Sequence, residues 1–90
     1  MTWNRKTVES KVVEVFTKHR PDEVAIEVND STKIVADLGL DSLGVMEVLS
    51  EIEDEFKFVI PDEALKQIET VGHVISAITE RLEKDGNLSE

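Results

Sequence analysis

The side chain in this sequence best placed to carry chemistry is a serine within residues 36–44. Gly39 lets the backbone turn without a Cβ penalty, so that Ser42 stands at the start of a predicted helix. A hydroxyl at a helix N-terminus is a favourable place for a phosphate, because free amides and the positive end of the helix dipole stabilise an anion. Ser42 is therefore better suited to being phosphorylated or pantetheinylated than to attacking a substrate.

Two other roles are open to Ser42. A serine at a helix entrance is ordinarily an N-cap, and in isolation that role is the more frequent one. A nucleophilic serine is disfavoured, because the motif G-x-S-x-G needs a glycine where Leu40 stands. His19 and His73 are far apart in sequence, and no feature marks either as a base. We therefore predict that the chain is not an enzyme.

The composition disfavours several classes of protein. The 90 residues carry 20 acids against 10 lysines and arginines, a net charge of −10, so neither nucleic acid nor an anionic membrane is an expected partner. The absence of cysteine excludes disulfides, thiolate metal sites and thiol catalysis by the chain itself. No metal is predicted, because the calcium-loop spacing is missing between Asp37 and Asp41. Without a membrane span or signal peptide in the pattern, a cytoplasmic location is expected.

Charge is distributed unevenly along the chain. Residues 1–20 have a net charge of +3, whereas residues 37–69 contain ten acids and two lysines, a net charge of −8. A solvated helix face is the commoner explanation of such an acidic run. The alternative is a recognition face that steers and orients a positively charged partner.

The apolar spacing predicts an all-α fold, a small four-helix bundle of three longer helices and one short helix with a long first loop. The helices run from about Asn4 to His19, from Ser42 to about Phe56, from about Asp62 to Ile68, and from about Val71 to Lys84 after a Thr70 N-cap. Their predicted buried side chains are Val8, Val12, Val15 and Phe16; Val45, Val48, Leu49, Ile52 and Phe56; Ala64, Leu65 and Ile68; and Val71, Val74, Ile75, Ile78 and Leu82.

Residues 20–41 show no helical period. Val24, Ile26 and Val28 alternate as in a short strand, but no second strand is available to pair with it. An irregular loop is predicted, whose apolar side chains return to the core. One domain is predicted over residues 1–85, with a flexible tail at residues 86–90.

The sequence around Ser42 resembles the acyl carrier proteins. The motif Asp37-Leu-Gly-Leu-Asp-Ser-Leu43 is followed by Glu47, by Glu51-Ile-Glu-Asp-Glu-Phe56 and by Ile60-Pro-Asp-Glu63. The resemblance covers about residues 5–83, including the helix order and the long first loop. The motif at the serine is short, but its combination with the acidic helix and the fourth-helix stripe is specific.

The resemblance implies a carrier that works through an attached arm. Ser42 would carry 4′-phosphopantetheine, added from coenzyme A by a phosphopantetheinyl transferase, and the arm's thiol would hold acyl groups as thioesters. Asp41 would help present the site to the transferase, and Leu43 would be an apolar contact beside the arm. Partner contacts to basic patches of ketosynthase, acyltransferase, reductase and dehydratase enzymes would come from Asp37, Met46, Glu47, Glu51, Glu53 and Asp54. Such a shuttle is expected to be a monomer.

The resemblance leaves the pathway open. A dissociated fatty-acid synthase and a polyketide or other secondary-metabolite synthase are nearly even, and two departures from the family favour the second slightly. Gly44 stands where many fatty-acid carriers have an acid or another side chain, and Ser50 where a larger apolar residue is common. An alternative from another class is an acidic helical adaptor or nucleic-acid mimic with no prosthetic group.

Overall fold

The computed structural model describes residues 3–21, 27–57 and 59–88, apart from the side chain of Asp62. Within these residues the chain forms four α-helices: α1 (Arg5–His19), α2 (Ser42–Phe56), α3 (Asp62–Leu65) and α4 (Val71–Lys84). The β-type pairing in the same residues amounts to two isolated bridges. The predicted all-α bundle of three longer helices and one short helix is confirmed. None of the helices described is long and apolar enough to cross a membrane.

The ends of α1 follow from local chemistry. The side chain of Asn4 accepts a hydrogen bond from the amide of Thr7 at 2.8 Å, and the Thr7 hydroxyl accepts one from the amide of Asn4 at 3.1 Å. This reciprocal pair is a capping box, and it satisfies amides that the helix itself cannot. At the other end Arg20 is extended (φ −66°, ψ 132°), as a residue preceding proline prefers to be.

The long helices bury their apolar stripes against one another, with α1 packed on both α2 and α4. Most of the predicted core is confirmed; Val45 and Ile75 are half-buried, as are the three residues predicted for the third helix. The loop before α2 also contributes to the core, as predicted. Its buried apolar side chains are Val28, Ile34, Leu38 and Leu40. Val24 and Ile26, which carried the strand-like alternation, lie outside the described residues.

The first loop is hydrogen-bonded to the start of α4. The carbonyl of Asp30 accepts from the amide of Gly72 at 2.8 Å, and that of Thr32 accepts from the amide of Val71 at 2.9 Å. The amide of Ile34 donates to the carbonyl of Glu69 at 3.0 Å. Because the first amides of a helix have no partner within it, these bonds satisfy α4 and fix the loop together.

The third helix is shorter than predicted. The α-helical bonds end at Leu65, and the chain continues to Ile68 through tighter bonds between residues three apart, such as Ile68 amide to Leu65 carbonyl at 3.2 Å. The prediction of a helix to Ile68 was wrong in its end point. The bond from Ile34 to Glu69 draws the chain out of the helix before α4 begins.

The two ends of the described chain meet at the far end of α2. The amide of Trp3 donates to the carbonyl of Asn87 at 2.8 Å, and Leu88 packs partly against the core. The indole of Trp3 lies on the ring of Phe56, with 4.5 Å between ring centroids. The division into a domain at 1–85 and a flexible tail at 86–90 stays a prediction, and residues 89–90 lie outside the described chain.

Gly72→Ala is expected to lower the free energy of unfolding by about 1–2 kcal/mol. A Cβ at Gly72 would lie 2.7 Å from the carbonyl oxygen of Asp30, so loop and helix would have to separate. That overpacking outweighs the gain in helix propensity, which is small in a first turn. Urea unfolding followed by the fluorescence of Trp3 measures the change. Ser76→Ala, on the exposed face of α4, is the control, and equal midpoints for both variants would contradict the close contact.

Candidate functional site

Ser42 is the first residue of α2, and its side chain is exposed. The helix is capped by the residue before it: Asp41 is extended (φ −87°, ψ −178°), and its Oδ1 accepts from the amide of Gly44 at 2.8 Å. Of the roles open to Ser42, that of the N-cap is therefore filled by Asp41 instead. In the described part of the chain no hydrogen bond engages the Ser42 hydroxyl, which is free for other chemistry.

The glycine in the first turn of α2 has a local structural reason. A Cβ at Gly44 would lie 3.3 Å from Cδ2 of Leu40 and 3.4 Å from Oδ1 of Asp41. The absence of a side chain thus lets a buried leucine and the capping carboxylate lie close against the helix. Gly44 is one of the two departures from the family, and a Cβ there would require its neighbours to shift by a few tenths of an ångström.

The approach to Ser42 is held from both sides. Gly39 has a φ of +71°, a conformation that favours glycine, and it ends the turn of residues 34–38. Oδ2 of Asp37 accepts from the amide of Lys33 at 2.8 Å and closes that turn. Leu38 and Leu40 are buried on either side of the glycine. The position of Ser42 is therefore set by packing and by hydrogen bonds.

Ser42 forms part of the wall of a cavity of about 570 Å³ between the first loop, α2 and the segment that leads into α4. This volume lies within the range of small-molecule sites, about 300–1,000 Å³. The wall is mostly apolar. Its lining residues are Ile34, Val35, Ala36, Val45, Met46, Leu49, Leu65 and Ile68, together with Lys33, Ser42 and Glu69. The sequence pattern does not identify this set, because its members come from three separate segments of the chain.

Large apolar side chains are exposed near the serine. Leu43, which follows it, is 65% exposed, and Met46 and Val35, both in the cavity wall, are each 67% exposed. Exposed apolar groups in a cluster indicate contact with a ligand or partner. The structure thus places an apolar patch beside Ser42 on an otherwise acidic surface.

The acids of α2 have different surroundings. Glu47 and Asp54 are exposed, and with Met46 and Ser50 they border a shallow depression. Glu53 is half-buried, and its Oε2 accepts from the amide of Ile60 at 2.6 Å. The role of these acids in partner binding stays a prediction, but the carboxylate of Glu53 is already engaged within the chain.

Glu51 is also engaged within the chain. Its Oε1 accepts from Nε2 of His19 at 3.1 Å and from Nζ of Lys18 at 3.3 Å, both on α1. The hydrogen bond from His19 and the bond and charge of Lys18 favour the carboxylate more than partial burial opposes it. They hold the pKa of Glu51 below its ordinary value. Its predicted partner contact would have to compete with these cations.

Relatives of this chain are found by sequence and by structure. The family described as phosphopantetheine attachment site matches residues 12–78. The mitochondrial acyl carrier protein of Saccharomyces cerevisiae is 36% identical over 67 residues, 74% of this chain and 54% of that protein, so this chain spans about half of its length. An acyl carrier protein of Rickettsia bellii is 34% identical over 73 residues, 81% of this chain and 84% of that protein. A solved structure of the acyl carrier protein from Enterococcus faecalis superposes with a TM-score of 0.70 at 40% identity, covering 86% of this chain and 96% of that chain.

Substitutions at the start of α2 should separate the cap from the hydroxyl. Asp41→Ala is expected to lower the free energy of unfolding by about 0.5–2 kcal/mol, because the amide of Gly44 loses its acceptor. Asp41→Asn retains an acceptor oxygen and should stay close to the parent. Ser42→Ala is expected to change the free energy of unfolding by less than about 0.5 kcal/mol. Urea unfolding measures all three, and a loss in Ser42→Ala equal to that in Asp41→Ala would contradict the cap assignment.

The stability that Glu51 contributes should depend on pH. Its pKa is lowered from 4.5 in the folded state, so its contribution is present above that value and is lost as the pH falls through the lower folded pKa. The difference in free energy of unfolding between the parent and Glu51→Gln is therefore expected to be largest above pH 4.5 and to close at lower pH. Urea titrations from about pH 3 to pH 6 test this. Glu47→Gln, on the exposed side of α2, controls for the loss of a carboxylate. A difference that widens towards low pH would reverse the sign and refute the pairing.

Proposed function

The chain belongs to the acyl carrier protein family, and from that premise we propose that Ser42 is the residue to which its 4′-phosphopantetheine is attached. Proteins of this family carry the group covalently and are carriers, not enzymes. The thiol of the arm supplies the chemistry, since it holds an acyl group as a thioester. The chain itself positions the arm, shelters its cargo and presents both to other enzymes.

The observation that carries the assignment of Ser42 is the capping of α2 by Asp41. Because the cap uses the carboxylate, the neighbouring hydroxyl is exposed at the first helical position and unbonded within the described residues. Amides in the first turn of a helix stabilise an anion there, as the phosphodiester of the arm requires. The residues present therefore fit the group. Asp41 would position the serine for the transferase, and the exposed Leu43 would contact the arm or the transferase.

The cavity beside Ser42 is the proposed site for the acyl chain. Ser42 is part of the cavity wall, so an acyl group on an arm attached to Ser42 could enter the cavity. The apolar lining would bury hydrocarbon, and each buried CH₂ contributes about 0.8 kcal/mol. Release to a client enzyme then requires that the enzyme offers a comparable apolar site.

The exposed side of α2 is the proposed partner face. Glu47, Asp54 and Met46 are free to contact the transferase and the basic patches of ketosynthase, acyltransferase, reductase and dehydratase enzymes. We assign to Glu51 and Glu53 a supporting role, because their carboxylates are bound to α1 and to the loop after α2. Exposed charge mainly steers encounters and sets orientation, which suits a shuttle that must also dissociate.

Of the two pathway types, we favour the polyketide or other specialised one over primary fatty-acid synthesis. Ser50 supports this choice, since its hydroxyl side chain is exposed in the middle of the proposed partner face. Gly44 supports it less, because Leu40 and Asp41 leave little room for a Cβ at this position. The enzymes that the carrier serves determine its pathway, whereas the attachment of the arm to serine is the same in both pathway types.

Intact-protein mass spectrometry tests the attachment. The unmodified protein is incubated with coenzyme A, Mg²⁺ and a broad-specificity phosphopantetheinyl transferase. We expect the mass of one phosphopantetheine to be added to the parent and to Ser76→Ala, a matched control on α4 outside the proposed partner face, and none to Ser42→Ala. Failure of the folded parent to gain mass would favour the acidic adaptor without a prosthetic group. Modification of Ser42→Ala would place the arm on another residue.

A further inference from the structure

The wall of the cavity beside Ser42 carries one cation and one anion. Lys33 and Glu69 are the charged residues among its described lining residues, and apart from Ser42 the others are apolar. Both side chains are exposed, whereas Ile34 and Leu49 in the same wall are buried. The cavity is therefore apolar on its inner side, and the part of the wall that meets water carries these two charges beside the exposed apolar side chains of Val35 and Met46.

The two charged residues lie on backbone segments that are bonded to each other. The amide of Ile34 donates to the carbonyl of Glu69 at 3.0 Å, and Lys33 forms an isolated bridge with Thr70. The amide of Lys33 donates to Asp37 at 2.8 Å. The Cα positions of Lys33 and Glu69 are thus fixed close together, at the junction of the first loop with the start of α4.

Neither charged group is paired within the described residues. In the part of the chain that the structure describes, no ion pair or side-chain hydrogen bond engages the ammonium of Lys33 or the carboxylate of Glu69. An ammonium only donates hydrogen bonds and a carboxylate only accepts them. Together they match a group that accepts and donates at once, and a hydroxyl does both.

We propose that this cavity prefers acyl groups that carry a hydroxyl, with the ammonium of Lys33 donating a hydrogen bond to the hydroxyl oxygen and the carboxylate of Glu69 accepting one from the hydroxyl. This inference rests on the proposed attachment at Ser42. Burying a hydroxyl among apolar groups without a hydrogen-bond partner is unfavourable. In this cavity Lys33 and Glu69 would supply its partners, while the hydrocarbon of the same acyl group contacts Ile34, Leu49 and their neighbours.

The test measures how well the protein shelters different cargoes. The transferase loads the chain from octanoyl-, 3-hydroxyoctanoyl- or 8-hydroxyoctanoyl-coenzyme A, and hydroxylamine then cleaves the thioester. Each rate is divided by that of the corresponding free acyl-pantetheine, which removes differences in intrinsic reactivity. We expect at least one hydroxyoctanoyl group to be cleaved about three- to tenfold more slowly than octanoyl, the factor of one net hydrogen bond.

Variants identify the groups responsible. Lys33→Met and Glu69→Leu should each remove the difference between hydroxylated and plain cargo. Lys66→Met, an exposed lysine outside the cavity wall, should keep it. Unfolding midpoints of all variants confirm that the fold is retained.

The outcomes separate this inference from the function on which it rests. If no arm can be attached at Ser42, both fail. If all cargoes are loaded but equally protected, or if the difference survives in both Lys33→Met and Glu69→Leu, the chain is a carrier and the preference for hydroxylated acyl groups is refuted.

Discussion

The bonds from the carbonyls of Asp30 and Thr32 to the first amides of α4 are the constraint on which the site depends. The described part of the loop before α2, residues 27–41, forms no ladder of its own, so its shape is set by its hydrogen bonds to other segments and by the apolar side chains it buries. The same loop forms one wall of the cavity and leads into Ser42. A displacement of the backbone at the start of α4 would therefore also displace the loop and the serine. Gly72 shows how close this contact is, because its missing Cβ is what allows the loop carbonyl to approach the helix.

The basic and acidic segments of the chain partly neutralise each other in the folded structure. Nζ of Lys11 lies 3.6 Å from Oε1 of Glu55, and Nζ of Lys18 lies 3.3 Å from Oε1 of Glu51. The basic first helix therefore neutralises one side of the acidic second helix. Burial lowers the pKa of Lys11, but the carboxylates of Glu14 and Glu55 raise it by more, and it lies above its usual value. Exposed pairs of this kind add little stability. Their main effect is to divide α2 into a side satisfied by α1 and a side whose charge remains available.

The sequence predicted the parts of this fold that depend on local periodicity and local stops. The bounds of α2 and α4, the Thr70 cap and the end of α1 before a proline are confirmed, since each is decided by residues a few positions apart. The parts that were missed depend on contacts across the chain or on one backbone angle. The cap of α2 is Asp41 because the backbone of that residue is extended. Aspartate and serine are both common N-caps, so residue type alone does not decide between Asp41 and Ser42. The pairing of Glu51 with α1 joins residues that no spacing rule relates, and the cavity exists only where three separate segments meet.

The meeting of Trp3 with Asn87 and Leu88 has a consequence for how the fold can be joined to other polypeptides. The ring of Trp3 lies beside that of Phe56, the last residue of α2, roughly 21 Å along that helix from Ser42 at its start. Chain added before residue 3 or after residue 88 would leave from the pole opposite the serine. Because the two ends are neighbours, a short linker could also close them and new termini could be opened elsewhere. The architecture therefore allows the fold to be joined to other polypeptides at residues 3 and 88 while Ser42 stays at the opposite end of α2.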